Sequence, residues 1–588
     1  MIRFSLASVL CACLCLAGCS PSQNVESTGN GGTAGSGGAS KGGTSGSGGS
    51  SSQGGTSGQG GSSGSGGSSA KGGSSGSGGQ TSSGGATATG GSSGGSSGGS
   101  GGKTGSGGAS NSGGSSGSGG ASGSGGSKAT GGTAASGGSA SSGGMTAAGG
   151  STGGSSSAGG SSGSGNCSIT VSMNAPSTKM ATVGVVEWST TLANLTSAKI
   201  VYTLNNAAST ILNKGGTAPV DLKKSNYHTL LLGLKPSSTY TFFVEATSAS
   251  GTCKSADNTL TTGALSGAPT ITRTATNATA QANGFIVTSG GQNGKGAYIL
   301  DADGTVVWYS DAPSQCSRAL MDYEGANMWM MALNVQNGGG EMRYMSMDGQ
   351  KSAGNVSGLS SAHHDFTVLP GKIATMVWTA TGMDPESNLV EHSSDGSGAA
   401  TTVFKIGSNI YAGGTSAFGG GTNTYHCNAI HYHAADDSYT IGDRNPNLYV
   451  KVKHDGTPVW QVGGSCTGAK APKCAPGTWQ INHGHDFDKN GNLLIFNNGQ
   501  SGASHVYEFK LTETASAITT STVKDFAPGT TSNVLGDVQR LPNGNTLITY
   551  TTAGQILEVD ASWATVQTLK GSFGYADWRE TLYGPPAR

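Results

Sequence analysis

The chain has 588 residues and no net charge, because 31 lysines and arginines balance 31 aspartates and glutamates. A balanced charge argues against nucleic acid or an anionic membrane surface as a partner. Only 11% of the residues are charged and 107 are glycine, and a long segment rich in glycine and serine explains this bias.

The N-terminus has the pattern of an export signal. Arg3 is followed by an apolar run, Leu6–Leu16, that is too short to span a bilayer. The run ends in Leu-Ala-Gly-Cys, which resembles the lipobox of bacterial lipoproteins. This predicts a signal peptide over 1–18, a lipid on Cys19, and a protein anchored at the outer membrane or cell surface of a bacterium. An ordinary secretory signal with a chance cysteine is the alternative.

Residues 19–166 are predicted to be the lipidated cysteine and a linker. Between about 27 and 165 the chain is almost entirely Gly, Ser, Ala and Thr, and its only charges are four lysines. Such a segment has little to bury, so it cannot offset the entropy of ordering and is predicted to be disordered. A flexible tether of about 140 residues has a reach of roughly 60–70 Å.

Six cysteines follow the linker, and export permits disulfides between them. Cys466 and Cys474 bracket a short loop and are predicted to pair. Cys167 and Cys253 bracket the first folded domain and are also predicted to pair. The two that are left, Cys316 and Cys427, are either free or paired.

Residues 167–264 alternate apolar and polar positions in short runs between turn clusters, which predicts a small β-sandwich. The segment LLGLKPSSTYTFFVEATSASG resembles the fibronectin type III family. Leu234, Pro236 and Tyr240 match its turn and following strand, and Trp188 lies where its early core tryptophan would be. The resemblance implies a spacer or binding module rather than a site of chemistry.

Residues 268–588 consist of short predicted strands that repeat. Hairpins with Asp-Gly or similar tips alternate with hairpins that have glycine-rich tips, six of each. Six units of about 50 residues and four strands predict a six-bladed β-propeller. One long antiparallel sandwich is the alternative. The predicted fold class is therefore all-β: a fibronectin type III-like sandwich and a six-bladed β-propeller after a disordered Gly/Ser linker.

The glycine-tipped hairpins share a position at the start of their first strand. Alignment on the turn glycines places Arg318, His364, His426 and His485 there in four consecutive units. The first strand of each propeller blade lines the central channel, so equivalent positions in successive blades converge on one axis. These side chains are predicted to share one cationic pocket.

Two more side chains are predicted to join that pocket. Asn428 lies two residues after His426 and therefore faces the same way on a strand, and Arg444 ends the return strand of the same hairpin. Donors with few carboxylates suit a tetrahedral oxyanion such as sulfate or phosphate. His431 and His433 fall on the opposite face of their strand and are predicted to lie at the surface. Three further histidines are predicted to be solvated: His392, His454 and His505.

A metal site is another interpretation of the histidines. His483-Gly-His485-Asp486 resembles the start of an H-x-H-x-D-H hydrolase site, but Phe487 stands where the aspartate should be. The acids between 486 and 491 could bind calcium, but other turns of the repeat have the same shape without acids, so they are interpreted as turn residues. We predict no metal and no cofactor; zinc held by several pocket histidines is the open alternative.

Four motifs in order resemble the bacterial arylsulfotransferase family, the aryl-sulfate sulfotransferases that use no nucleotide sulfate donor. They are HHDFTVLPGK, HCNAI with Arg444 eighteen residues after His426, HGHDFDKNGNLLIFNNG and the closing FGYADWRETLYGPP. The resemblance covers about 280–588. It implies an exported six-bladed propeller, in agreement with the repeat and the signal.

The resemblance also implies a ping-pong transfer through a sulfohistidine. By motif, His485 would be the nucleophile, with His483 as the open alternative, and His364 would assist as a donor or acid/base. The residues that would hold the sulfate oxygens are His426, Asn428 and Arg444. Neutral imidazole is nucleophilic at ambient pH, and such donors can stabilise a loose, in-line transition state. Arg318 is predicted from the repeat and not from the family.

The sequence therefore predicts an enzyme that moves a sulfuryl group from an aryl sulfate to a phenol, with these small molecules as partners and no nucleic acid. One alternative is a non-catalytic cell-surface propeller that binds an anionic, sulfated ligand. Another is a metal-dependent hydrolase. The sequence predicts no oligomeric state.

Overall fold

The computed structural model describes residues 167–333, 340–380, 384–416, 421–499 and 502–586. Within these ranges the chain is built from β-strands, and the single helical element is a 3₁₀ turn at Ser225–Tyr227. The all-β fold class predicted from the sequence is confirmed. Among the described residues, no helix has the length and apolar character needed to cross a membrane. The predicted signal peptide, Cys19 and linker lie outside these ranges.

The first strands form a sandwich of two antiparallel sheets. They are β1 (Ile169–Pro176), β2 (Gly184–Thr190), β3 (Leu195–Leu204), β4 (Gly215–Pro219), β5 (Thr229–Leu231), β6 (Thr239–Ser248), β7 (Gly251–Lys254) and β8 (Asn258–Thr261). One sheet has the order β1-β2-β5 and the other β4-β3-β6-β7, with β8 also paired to β6. Every second residue of β6 is buried, from Tyr240 to Ser248, so this strand supplies one face of the core between the sheets.

The other strands form six sheets and one small hairpin. In chain order they are β9 (Thr272–Ala275), β10 (Phe285–Ser289), β11 (Lys295–Asp301), β12 (Val306–Ser314), β13 (Cys316–Met321), β14 (Asn327–Ala332), β15 (Glu341–Ser346), β16 (Ser352–Ala353), β17 (Ala362–Leu369), β18 (Lys372–Trp378), β19 (Ser387–Ser393), β20 (Thr401–Ile406), β21 (Gly414–Thr415), β22 (Thr422–Thr424), β23 (Cys427–His433), β24 (Ser438–Asp443), β25 (Leu448–Lys453), β26 (Pro458–Gly463), β27 (Cys474–Ala475), β28 (Asn482–Phe487), β29 (Leu493–Asn497), β30 (His505–Glu513), β31 (Ile518–Phe526), β32 (Asp537–Arg540), β33 (Thr546–Tyr550), β34 (Gln555–Val559), β35 (Thr565–Lys570) and β36 (Ala576–Arg579).

These sheets are the six blades of the propeller. Blade 1 is β13-β14-β15-β16, blade 2 is β17-β18-β19-β20, blade 3 is β23-β24-β25-β26-β27 and blade 4 is β28-β29-β30-β31. Blade 5 is β32-β33-β34-β35-β9, and blade 6 is β36-β10-β11-β12. The last strand of the chain thus pairs with β10, with Ile286 opposite Trp578, and closes the ring. Closure leaves no open sheet edge between the first and last blades.

The structure contains both predicted disulfides. Cys167 is bonded to Cys253 on β7, and Cys466 is bonded to Cys474 at the end of the loop that follows β26. Cys316 and Cys427 are free thiols and are buried in the propeller.

The sandwich packs directly against the propeller. Met180, Val183 and Leu232 of the sandwich belong to the same buried apolar cluster as Trp308 and other propeller residues. At the chain's C-terminal end, the hydroxyl of Tyr583 accepts a hydrogen bond of 2.7 Å from the backbone of Leu232. The two parts therefore share a core.

A buried ion cluster lies at the same interface. Lys235 of the sandwich donates to the carboxylates of Asp301 and Asp303, the latter at 2.9 Å, and also to the hydroxyl of Thr305 at 3.2 Å. The side chain of Lys235 is 10% exposed and that of Asp301 is fully buried. Removal of the lysine from such a cluster leaves a buried carboxylate without a counter-ion, which destabilises the folded protein.

We expect Lys235→Met to lower the free energy of unfolding by about 3–5 kcal/mol, since the buried carboxylate of Asp301 and the partly buried one of Asp303 lose their counter-ion. The control is Lys199→Met, which breaks a 2.8 Å pair with Glu245 at the surface. Exposed pairs of that kind contribute about 0–1 kcal/mol. Urea unfolding of the full chain measures both. Equal losses for the two variants would contradict an interface held by buried charge.

Candidate functional site

The first strands of the blades bring the predicted site residues to the centre of the propeller. β13 contacts β17, β17 contacts β23, and β23 contacts β28. All six residues of β13 and all eight of β17 are buried. The convergence of these strands follows from the ring, because each blade places its first strand against the next.

Irregular backbone at the start of four of these strands decides where the side chains point. The register shifts between Cys316 and Arg318 on β13, between Ala362 and Phe366 on β17, between Cys427 and Ala429 on β23, and between Asn482 and His485 on β28. His364 has a φ of +61°, in the left-handed region. A β-bulge adds a residue and re-aims the side chains around it. Strict alternation of faces therefore fails at these positions.

Four histidines form one cluster, which we call the imidazole cluster: His363, His364, His426 and His483. The ring of His364 lies 4.0 Å from that of His363, 4.9 Å from that of His426 and 5.7 Å from that of His483, measured between centroids. None of the four is more than 2% exposed. Residues from three blades thus meet in one buried site.

Three rings of the imidazole cluster are oriented through Nδ1. His426 Nδ1 lies 2.6 Å from the Asp384 carboxylate, and His363 Nδ1 lies 3.1 Å from the backbone oxygen of Cys427. His483 Nδ1 pairs with the side-chain oxygen of Asn498, whose amide nitrogen donates to two backbone oxygens. Each Nδ1 faces an acceptor and so carries the proton of the neutral ring. The lone pair is then on Nε2.

Arg444 supplies a positive charge beside the imidazole cluster. Its backbone N–H donates to the carbonyl of His426 at 3.3 Å, as expected for the return strand of that hairpin. The residue as a whole is 6% exposed. Burial lowers the pKa of Arg444, and the nearby carboxylates of Asp384 and Asp443 oppose that effect.

Burial and Arg444 keep the cluster histidines neutral. Burial is the larger cause in all four, and the charge of Arg444 adds to it in each. The pKa of His426 falls to about 4, although Asp384 opposes the fall. The pKa of His483 falls to about 3. Four neutral bases beside one fixed cation can receive an anion and attack an electrophile.

Asp384 is a site residue that the sequence reasoning missed. It is 5% exposed, and it accepts hydrogen bonds from His426 and from the hydroxyl of Ser416. Burial would raise the pKa of Asp384, but these two hydrogen bonds, together with the charge interaction with His426 and a hydrogen bond from Asn445, hold the pKa below its usual range. The sequence predicted few carboxylates in the pocket, and this prediction is wrong at His426, which contacts the carboxylate of Asp384. Asp384 lies in a connection between strands, where no repeat marks it.

His485 lies outside the imidazole cluster. Its ring is 4.7 Å from that of Tyr449, 6.0 Å from that of His431 and 6.1 Å from that of Phe487. Burial lowers its pKa to about 3, with further contributions from His433 and Arg318 but none from Arg444. The bulge on β28 is the reason that His483 and His485, two residues apart, have different neighbours. The predicted meeting of His485 with His364 and His426 does not occur.

Arg318 and Asn428 are central but have other partners. Arg318 pairs with Asp537 at 2.5 Å and with Asp365 at 3.3 Å, both buried. Burial raises the pKa of Asp537 to about 7, with Arg318 opposing that rise. Asn428 donates to the backbone oxygen of Asn482 at 2.6 Å. Arg318 therefore neutralises carboxylates, and Asn428 ties β23 to β28, which positions His483.

Several histidines predicted to be exposed are in fact at least partly buried. His431 and His433 are half-buried beside His485 and Phe487, because the neighbouring blade covers that face. His392 is 2% exposed and packs on Trp329. The other two predicted to be solvated, His454 and His505, are half-buried and paired with carboxylates.

His363 is the second residue that the sequence reasoning missed. Its ring lies 4.1 Å from that of Trp378, measured between centroids. Alternation would place it opposite His364, but the left-handed backbone at His364 brings both rings to one side. The histidine doublet at 363–364 is the only signal in the sequence, and it does not reveal the bulge.

The comparisons support an arylsulfotransferase-type function. Residues 416–571 match the family model described as Arylsulfotransferase (ASST). This range contains His426, Asn428, Arg444, His483 and His485. No curated protein matches the chain.

Solved structures share only a general likeness with the chain. A chain of the nidogen/laminin complex is 11% identical, with 50% of this chain and 97% of that chain covered and a TM-score of 0.34. Virginiamycin B lyase from Staphylococcus aureus is 11% identical over 51% of this chain and 99% of its own, with a TM-score of 0.30. A DUF4784 family protein from Bacteroides caccae is 10% identical over 70% of this chain and 98% of its own, with a TM-score of 0.31. Likeness at this level says nothing about activity.

The buried histidines predict destabilisation in acid. The unfolded chain protonates these rings near their ordinary pKa of 6.5, whereas the folded protein protonates His426 only near 4 and His483 only near 3. Their contribution is complete above pH 6.5 and is lost as the pH falls below it. At pH 5 each ring costs about 2 kcal/mol, at about 1.4 kcal/mol per pH unit.

Urea unfolding at pH 7 and at pH 5 measures this loss. His483→Asn removes one titrating ring and should reduce the loss between the two pH values by about 2 kcal/mol. A free energy of unfolding that is the same at both pH values would contradict neutral, buried imidazoles.

Proposed function

We propose that the protein transfers a sulfuryl group from an aryl sulfate to a phenol, without a nucleotide donor, through a sulfohistidine. The observation that carries the proposal is the imidazole cluster beside Arg444. It offers nucleophilic nitrogens and a fixed cation in one buried site, mostly within the segment that matches the arylsulfotransferase model. A sulfuryl donor is an anion with an electrophilic centre, so both features are needed for its transfer.

His483 is our choice for the nucleophile. Its Nδ1 is held by Asn498, and its buried Nε2 has no hydrogen-bond partner among the described residues. Its low pKa leaves the lone pair available at neutral pH. Nε2 of His483 attacks the sulfur, the bond from sulfur to the aryl oxygen breaks, and the electron pair leaves with that oxygen. His485 has no such relation to Arg444, and its motif-based role yields to His483 in this proposal.

His426 is our choice for the acid/base, with Asp384 as its positioning residue. The contact of 2.6 Å between Asp384 and Nδ1 fixes the ring and stabilises its protonated form. In the second half-reaction, Nε2 of His426 accepts the phenol proton while the phenol oxygen attacks sulfur, and His426 then passes this proton through solvent to the phenolate released in the first half-reaction. The bond between His483 and sulfur then breaks, and its electron pair returns to Nε2 of His483.

Arg444 and His364 are our choices for the residues that hold the sulfuryl oxygens. The transition state of such a transfer spreads negative charge over these oxygens, and a preorganised cation stabilises it. His363 lies beside His364, with its ring centroid 4.1 Å from that of Trp378. Asn428 and Arg318, which were predicted to bind substrate, act in this proposal by positioning β28 and by neutralising carboxylates.

The nucleophile is tested with a chromogenic aryl sulfate and a phenol. His483→Asn keeps a nitrogen donor for Asn498 but removes Nε2, so we expect kcat to fall by about 10³-fold or more. The matched control, His485→Asn, lies two residues along the same strand and should stay within about ten-fold of the parent protein.

The opposite pattern would move the nucleophile to His485. Failure of the parent protein to release phenol from any of several donors would favour a non-catalytic propeller that binds a sulfated ligand. Circular dichroism of each variant shows whether the propeller is folded.

We also propose that the chain is exported and anchored by a lipid on Cys19, with the Gly/Ser segment 20–166 as a tether and a fibronectin type III-like module before the propeller. The lipobox pattern and the composition of the tether support this. In a bacterial host, labelled fatty acid should be incorporated into the parent protein and not into Cys19→Ser. Equal labelling of the two would exclude this anchor.

A further inference from the structure

We propose that His363, His364 and His426 bind one divalent transition-metal ion when no sulfate donor is present. One ring nitrogen of each histidine can be chosen so that the three atoms lie within 4.8 Å of one another. The inference does not need the transfer reaction, since a metal could bind there whether or not the protein is an enzyme. It adds a ligand class to the site, the borderline cations Zn²⁺, Co²⁺, Ni²⁺ and Cu²⁺.

The distances need only a small adjustment. Zinc bound by imidazole has Zn–N distances of about 2.0–2.1 Å, which separates the nitrogens of a tetrahedral site by about 3.3 Å. The three nitrogens are already close, and rotation of rings about their side-chain bonds can bring them closer. His363 and His364 are adjacent on β17, and His426 precedes β23 of the next blade, so the metal would join two blades.

The hydrogen bonds around the cluster match those of metal-bound histidines. A ligating imidazole usually donates its other N–H to a carboxylate or a backbone oxygen, which fixes the ring and raises its basicity. His426 has this arrangement with Asp384, and His363 has it with the carbonyl of Cys427. The same hydrogen bonds also leave a lone pair on Nε2 for attack on an electrophile. They are therefore compatible with a metal site and with a nucleophile.

Buried nitrogens that lack hydrogen bonds point to a missing ligand. Within the described residues, His363 Nε2 and His364 Nδ1 have no hydrogen-bond partner, and both side chains are at least 98% buried. A buried acceptor without a donor is costly. The ring of His363 has its Nδ1 occupied by the carbonyl of Cys427, so its Nε2 carries a lone pair. A cation at the centre of the three rings satisfies these nitrogens together, and three imidazoles suit zinc-like ions better than calcium or magnesium.

Two charges next to the site have opposite effects on the ion. The carboxylate of Asp384, in contact with His426, attracts a cation, whereas Arg444 repels it. The same two residues should act in the reverse sense on a sulfate. The metal and the aryl sulfate therefore compete, and Arg444 shifts the balance toward the anion.

The test uses the purified full-length protein, stripped of metal and titrated with Co²⁺. We expect one Co²⁺ per chain, with the visible absorption of a histidine-bound ion. His363→Gln and His426→Gln should each weaken binding by at least about 100-fold, and Asp384→Asn by about 10–100-fold. His485→Gln, which changes a buried histidine outside the trio, should leave the affinity within two- to three-fold of the parent protein, roughly the scatter of such contributions.

A further variant gives a change of opposite sign. Arg444→Gln should tighten Co²⁺ binding and weaken protection by a non-hydrolysed aryl sulfate analogue. That analogue should also bleach the Co²⁺ absorption of the parent protein. A variant that fails to fold cannot produce tighter binding, so this result does not depend on the histidine variants.

Three outcomes would overturn the inference: no stoichiometric Co²⁺ absorption, absorption that survives both His363→Gln and His426→Gln in folded protein, or absorption that the analogue leaves unchanged. The assay is independent of sulfuryl transfer. A protein that binds Co²⁺ but releases no phenol would refute the proposed enzyme and support the metal site. A protein that releases phenol but binds no Co²⁺ would refute the metal site and support the enzyme.

Discussion

The burial of basic nitrogens at the centre of a closed ring of strands is the constraint on which this site depends. Imidazoles at the surface would be solvated and partly charged near neutral pH. In the imidazole cluster, burial and Arg444 together lower every pKa and keep the rings neutral. In three of the rings, Asp384, Asn498 and a backbone carbonyl occupy Nδ1 and so place the lone pair on Nε2. Reactivity and folding stability are thus set by the same contacts.

The propeller holds these groups by linking each inner strand to the next. Asp365 on β17 accepts a backbone hydrogen bond of 3.0 Å from Ile430 on β23, and Asp486 on β28 accepts one of 2.8 Å from Arg540 on β32. Because these hydrogen bonds join different blades, the position of each inner strand depends on its neighbours. The sandwich adds to this, since its apolar residues and Lys235 are buried against blade 6. These contacts hold the inner strands in place, and a preorganised site requires such fixed positions.

The sequence predicted correctly the features that follow from regular strand repeats. It was wrong where a β-bulge interrupts the alternation of side chains along a strand. The alternation of two hairpin types predicted six blades because the pattern is a property of the strands themselves. In the structure Arg444 lies beside His426, as the return strand of that hairpin predicted, and His364 meets His426, as the alignment on the turn glycines predicted. The alignment failed for His485, because face alternation assumes a regular strand and β28 has a bulge. The sequence did not predict Asp384 as a site residue. It lies in the connection between β18 and β19, and the position of this connection depends on how the blades pack in the closed propeller.

The central claim is that Nε2 of His483 receives the sulfuryl group beside Arg444. The most direct measurement is to incubate the protein with an aryl sulfate in the absence of a phenol, digest it at neutral or basic pH, and locate the added sulfuryl group by mass spectrometry. The account predicts one group per chain, on His483, and its loss when a phenol is added. A group on His485, or an unmodified protein that still releases phenol, would contradict the account.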